Sequence, residues 1–172
     1  MKIIFLDLDG VLNNWYHPDL IDSKNVLVLK KIIKLTNAKI VLTTSNKYPF
    51  QREKIKNIKG SYLEKYIKIL QNNGLSIYDL TPYVEENRSL EIKAYLKSNP
   101  NITDFVIIDD EIISLKLLKY QVFLDWNTGL LEKHIKPIIA ILNGQLGFYP
   151  PDYDIQETNE QRLIRINKYY NR

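Results

Sequence analysis

Lys2-Ile3-Ile4-Phe5-Leu6-Asp7-Leu8-Asp9-Gly10 opens the chain with an apolar run that ends in two carboxylates, one residue apart. Two later stretches share this design. Lys39-Ile40-Val41-Leu42-Thr43-Thr44 closes on hydroxyls, and Phe105-Val106-Ile107-Ile108-Asp109-Asp110 closes on adjacent acids. Continuous apolar runs rich in β-branched residues, rather than alternating ones, suit strands covered on both faces, as in a parallel sheet. Leu75-Ser76-Ile77-Tyr78 and Gln121-Val122-Phe123-Leu124 read as two further, weaker strands.

Helical patterns fill the intervals. Residues 22–36 place Val26, Leu29, Ile32, Ile33 and Leu35 at near-helical spacing behind an N-cap at Asp22 or Ser23. Residues 61–72 repeat the pattern through Leu63, Tyr66, Ile67 and Leu70 and stop at Gly74. Further helices are expected over Ser89–Lys97, 111–118 and 131–142. Strands alternating with helices predict right-handed crossovers, and so an α/β fold: a three-layer α/β/α sandwich on a mostly parallel, Rossmann-like sheet. The composition shifts around Pro150-Pro151. Residues 1–145 are therefore read as one domain and 146–172 as a tail, with a charged helix over 156–169.

Composition narrows the chemistry. The chain has no cysteine, which excludes disulfides, thiolate nucleophiles and thiolate metal sites. Its two histidines, His17 and His134, are too few for a histidine cage, so any metal should be a hard cation on oxygen ligands. No long apolar stretch or signal-peptide pattern is present, and a cytoplasmic protein without membrane contact is expected. The formal charge of +4 permits an anionic substrate without demanding nucleic acid.

Ligands of open α/β sheets bind beyond the carboxyl ends of the strands, at the point where strand order reverses. If the three strong strands are adjacent, Asp7 and Asp9, Thr43-Thr44-Ser45, and Asp109-Asp110 converge on one edge. Carboxylates that close disfavour joint ionisation unless a cation joins them. Mg²⁺ is the expected cofactor, because it pairs a few protein carboxylates with substrate phosphate oxygens. Asp7, rigid at a strand end, is placed to attack phosphorus and form an aspartyl-phosphate. Asp9 is placed to protonate the leaving group and then to activate water. The Thr44 hydroxyl is the candidate for holding a phosphoryl oxygen, and Arg88 or Lys93 for neutralising its charge. Asn13 and Ser45 are candidate substrate contacts, as are Asn14 and His17.

Phe5-Leu6-Asp7-Leu8-Asp9-Gly10-Val11-Leu12 resembles motif I of the haloacid dehalogenase superfamily. Val41-Leu42-Thr43-Thr44 resembles motif II, and Val106-Ile107-Ile108-Asp109-Asp110 resembles motif IV. The resemblance implies a catalytic domain over residues 1–145 and Mg²⁺-dependent phosphoryl transfer through Asp7. It also implies metal ligation by Asp7, the Asp9 backbone carbonyl and Asp109, with Asp110 ligating the ion or holding its waters. Thr81-Pro82, Arg88 with Glu91-Ile92, and Asn127-Thr128-Gly129-Leu130 are similar to the small domain of this type in Swiss-army-knife RNA repair proteins. That pattern favours Arg88 over Lys93. Asn46-Lys47 departs from it, standing where a Trp-Arg pair is common.

About thirty-five residues separate Asp9 from Thr44 and about forty-five separate Thr44 from Arg88, which leaves no room for a cap domain. The expected function is hydrolysis of a phosphomonoester, on a small molecule or a nucleic-acid end. The rival of another class is a catalytically quiet binding module, against which the cost of burying carboxylates without a metal argues. Trp15, Tyr16, Tyr48, Phe50 and Tyr62 are aromatic residues able to stack bases or to pack the core. Arg162, Arg165, Lys168 and Arg172 give the tail a basic face able to meet phosphates or solvent.

Overall fold

The three strong apolar runs become neighbouring parallel strands. A computed structural model describes residues 1–13 and 20–147. Asn14, Trp15, Tyr16, His17 and the expected tail helix lie outside the described residues. The strands are β1 (Lys2–Leu6), β2 (Lys39–Leu42), β3 (Ile77–Leu80), β4 (Asp104–Asp109) and β5 (Gln121–Phe123). They form one all-parallel sheet in the order β3-β2-β1-β4-β5. The chain builds outward from β1 to β3, then crosses back to place β4 on the other side of β1. The reversal falls between β1 and β4.

Helices α1 (Ser23–Thr36), α2 (Tyr48–Arg52), α3 (Tyr62–Asn72), α4 (Arg88–Ser98) and α5 (Ile135–Leu142) complete the described fold. The side-chain period of two splits each strand between two cores. Ile4, Leu6, Ile40, Leu42, Val106 and Ile108 pack with α1, α3 and α5 on one face. Ile3, Phe5, Val41 and Ile107 pack with Ile92 and Tyr95 of α4 on the other. Both faces are dry, so the runs are continuous rather than alternating, and the layers number three.

Local chemistry sets the helix ends. Asp22 accepts from Lys24 N–H and caps α1, Ser61 accepts from Glu64 N–H and caps α3, and Asn87 accepts from Leu90 N–H and caps α4. The last of these starts α4 at Arg88, one residue before the expected boundary.

Two expected helices differ. The segment over 111–118 forms instead a 3₁₀ turn at Leu115–Tyr120. The buried Gln121 side chain donates to Glu111 O at 2.6 Å and accepts from Ile113 N–H at 3.2 Å, taking backbone groups that a helix would need. Over 131–142, a 3₁₀ turn at Glu132–His134 precedes α5. β3 begins two residues later than its sequence run, and the short α2, opened by Pro49, was not expected from the pattern.

His134 is a structural residue. Its Nδ1 accepts from Leu131 N–H at 2.9 Å, which closes the turn before α5, and the ring is 5% exposed. Burial, with Lys133 adding to it, pushes its pKa down to about 4. The unfolded chain therefore takes up a proton near pH 6.5 while the folded one stays neutral to about pH 4. Stability is held above that window and lost as pH falls through it. Urea unfolding at pH 7 and pH 5 is expected to show the wild type losing about 2 kcal/mol more than His134→Asn. Equal losses would show that the folded ring protonates freely.

Candidate active site

Hydrogen bonding carries the sheet one residue past its strands, and those residues begin the site. Asp7 N–H donates to Ile108 O, Thr43 N–H to Leu6 O, Thr81 N–H to Leu42 O and Leu124 N–H to Asp109 O. The backbones bearing Asp7, Thr43 and Asp109 are thus fixed by the ladder itself. Asp7 and Asp109 stand at the ends of β1 and β4, on either side of the strand-order reversal.

Carboxylate oxygens of Asp7, Asp109 and Asp110 all lie within 4.8 Å of one another. Arg88, at the start of α4, enters the same space. Its Nη1 is 2.7 Å from Asp7 Oδ2 and 2.7 Å from Asp109 Oδ2, and its Nη2 donates to Glu111. Asp7 Oδ1 accepts from Leu8 N–H, and Asp109 Oδ1 from Glu111 N–H, both at 2.8 Å.

One guanidinium shared among these acids does not balance them. Burial raises the Asp7 carboxyl above its usual range against the pull of Arg88 and Leu8 N–H, with Asp9 adding to the rise. Asp109 is raised well above its usual range, first by burial and then by Asp7 and Asp110, although Arg88 opposes. Asp110 is pushed up to about 7 by burial, with Asp7 and Glu111 adding to it. Burial disfavours the charge on Arg88, yet Asp109, Asp7 and Glu111 together raise its pKa, so it stays a cation.

Gly10 makes room for the third acid. Its φ is +70°, and a Cβ there would collide with the Asp110 carboxyl. Behind it, Gly129 sits at φ +64°, where a Cβ would meet Val11 O and the Asn25 amide, while Leu130 N–H donates to Val11 O at 2.8 Å. The Asn127-Thr128-Gly129-Leu130 segment therefore braces motif I from behind.

Asp9 occupies a different environment from Asp7. Its side chain is exposed and outside the carboxylate cluster. Tyr66, from α3, donates its hydroxyl to Asp9 Oδ1, and Asn46 Nδ2 donates to Asp9 Oδ2 at 2.8 Å. Asn13 Nδ2 lies 3.1 Å from Asp9 Oδ1 and 2.8 Å from the Tyr66 hydroxyl, while Asn13 Oδ1 accepts from Gly10 N–H. Burial, followed by the bond to Asp9, raises the Tyr66 hydroxyl far above its usual range, so it remains a donor.

Thr44 is buried, and its Oγ1 accepts from Asn46 N–H at 3.3 Å and Asn46 Nδ2 at 3.2 Å. It caps the 3₁₀ turn Ser45–Lys47, leaving its own hydroxyl hydrogen to donate. Ser45 is exposed beside it. Lys93 is exposed on α4, about 140° around the helix from Arg88, and it is Arg88 that enters the cluster.

Lys47 read in the sequence only as a departure from the related pattern, and the structure gives it a role. It is fully buried and paired with the equally buried Glu91 at 2.6 Å. Glu91 Oε2 is also 3.3 Å from Thr81 Oγ1, and its Oε1 is 3.4 Å from Val84 N. Burial lowers the Lys47 pKa, and the bond to Glu91 opposes that fall. The pair fastens the end of β2 to α4 one turn beyond Arg88. Tyr66, Asn46 and Glu111 were also missed, since none belongs to a motif and each reaches the site from a separate element.

The topology, with acids flanking the strand-order reversal and a basic residue brought in by the next helix, is that of the haloacid dehalogenase (HAD) class. The chain belongs to the family described as the HAD domain in Swiss Army Knife RNA repair proteins, whose model matches residues 3–135. No curated protein and no solved structure matches it. Among the described residues, no helix is long and apolar enough to cross a membrane.

Two substitutions test this architecture. Gly10→Ala combines backbone strain with displacement of Asp110 and should cost about 1–3 kcal/mol in chemical unfolding. Gly60→Ala, at φ +82° with nothing within 4 Å, reports the strain alone; an equal loss in both would mean that Asp110 yields freely. Lys47→Met should cost about 3–5 kcal/mol by stranding Glu91 in the interior, and Lys47→Met/Glu91→Leu should recover most of it. A double variant no better than the single would show that packing, not the stranded charge, sets the loss.

Proposed function

We propose that this chain is a Mg²⁺-dependent hydrolase of phosphomonoesters that works through an aspartyl-phosphate on Asp7. The observation supporting this reading is the meeting of Asp7, Asp109, Asp110 and Arg88 where the strand order reverses. A hard divalent cation fits the donor set: the ligands are all oxygen, and burial first, with neighbouring acids adding to it, raises their proton affinities. Asp7, Asp109 and Asp110 would hold it, with the Asp9 carbonyl as the further ligand. Once bound, the ion supplies positive charge to the acids and to the phosphoryl oxygens.

In the first step an Asp7 carboxylate oxygen attacks phosphorus. The bond to the leaving oxygen breaks, and that oxygen takes a proton from Asp9. Thr44 and Arg88 hold the phosphoryl oxygens while charge redistributes. In the second step Asp9, now ionised, takes a proton from water as the water oxygen attacks phosphorus. The bond to Asp7 breaks, inorganic phosphate leaves, and both aspartates return to their starting states. Tyr66, Asn13 and Asn46 orient Asp9 through hydrogen bonds to its carboxyl group.

Membership in a family described from RNA repair proteins favours a phosphorylated nucleic-acid end as the substrate. The test is phosphate release from oligonucleotide, nucleotide and sugar phosphates, with Mg²⁺ and with EDTA. Release should require the metal and fall on the order of 10³-fold or more in Asp7→Asn. Undiminished turnover in that variant, or no release from any substrate, would overturn the reading.

A further inference from the structure

A cleft of about 310 Å³ opens beside the acid/base aspartate. Its walls include Ser45, Asn46, Pro49, Phe50, Ser61 and Tyr62. Asn46 joins it to the site, because the same side chain donates to Asp9 at 2.8 Å. The opposite wall is the first turn of α3, whose Tyr66 donates to Asp9 from one turn further along. Asn46 and α3 thus connect the cleft to Asp9.

Chemistry assigns that position to the leaving group. An acid that protonates the departing oxygen must touch it, so the organic part of the ester extends past Asp9, away from Asp7. The volume is at the small end of ligand sites, roughly 300–1,000 Å³, and suits one cyclic unit rather than a large ligand. It is lined by Phe50, Tyr62 and Pro49 with Ser45, Asn46 and Ser61, the Ser61 hydroxyl being engaged with Ile58 O and Glu64 N–H. Flat apolar faces with a few hydrogen-bonding groups match a nucleobase. Tyr62 is 63% exposed, and with Lys65 over one face its ring has the other to offer a stacking partner.

Charge extends the match beyond one unit. Residues 52–68, which join the two walls, carry six Lys and Arg against two Glu, a net of +4. The whole chain has a formal charge of +4, so the remainder is neutral. Lys54, Lys56 and Lys59 are exposed on the loop from α2 to α3, and Lys65 Nζ lies 5.1 Å from the Tyr62 ring centre. A free mononucleotide has no use for such a strip. A strand with further phosphates does.

We propose that this cleft holds the terminal nucleoside of a single-stranded nucleic-acid end, its base stacked on Tyr62 and its backbone following Lys54, Lys56 and Lys59. The assignment rests on the phosphatase reading for its orientation, yet it can be tested by binding alone. A fluorescent, phosphorylated single-stranded oligonucleotide is titrated with the full chain in EDTA, across a range of salt, and anisotropy is read.

Tyr62→Ala is expected to weaken binding about 5- to 150-fold, the range for loss of one stacked base. Because Tyr62 is exposed, its truncation leaves the core intact. Lys54→Ala/Lys56→Ala/Lys59→Ala is expected to flatten the slope of log affinity against log salt by about 2. No binding by the wild type, unchanged binding by Tyr62→Ala, or a mononucleotide binding as tightly as the oligonucleotide would each overturn the proposal. Tyr62-dependent binding with no phosphate release from any substrate would support the cleft and count against the phosphatase reading. Release from small esters with no oligonucleotide binding would do the reverse.

Discussion

The shared guanidinium of Arg88 is the contact on which the site depends. Asp7 and Asp109 are buried at the ends of two adjacent central strands, and neither can move without breaking the sheet ladder. Buried carboxylates without a cation are costly. Arg88 meets both through a single nitrogen at 2.7 Å, so the position of α4 and the charge state of the strand ends are set together. A hard metal ion would add charge where the protein itself leaves too little.

That dependence explains why a second buried cation lies close by. α4 must be held firmly if Arg88 is to stay between two acids. Lys47 and Glu91 do this by tying the turn after β2 to the next turn of α4 in a dry interior. Thr81, at the end of β3, adds a hydroxyl near the same carboxylate. The ends of three elements thereby converge on one ion pair beneath the acids. Such pairs contribute little net stability compared with apolar packing, but removing one partner strands the other, so they hold geometry strictly.

Asp7 and Asp9 show how two identical side chains two residues apart acquire different properties. Asp7 points into a crowded, buried cluster with a guanidinium, and Asp9 points outward among a phenol and two amides. Gly10 turns the chain just after Asp9 while leaving space for Asp110. Two of the three donors around Asp9, Tyr66 and Asn46, come from α3 and from the turn after Thr44, which also form the walls of the neighbouring cleft. The setting of the Asp9 side chain and the shape of the cleft are thus tied to the same two segments.

Much of this was readable in the chain. The continuous β-branched runs determined a parallel sheet covered on both faces, and their terminal Asp, Thr and Asp-Asp clusters determined which edge gathers the acids and hydroxyls, because strand direction sends every carboxyl end the same way. Side-chain partners are another matter. Lys47, standing where the related pattern has arginine, read as a departure, and only packing shows it buried against Glu91. Tyr66 read as one more apolar contact of a helix, and only the approach of α3 to the loop after β1 makes its hydroxyl a partner of Asp9. Residues 111–118 have helical local content, but Gln121 and Arg88 take groups from that segment and leave a 3₁₀ turn. Local periodicity and strand-end identity are written in consecutive residues, so the sequence alone determined the sheet and its acidic edge. Which residues pair across elements depends on distances between distant parts of the chain, and only the tertiary structure decided those.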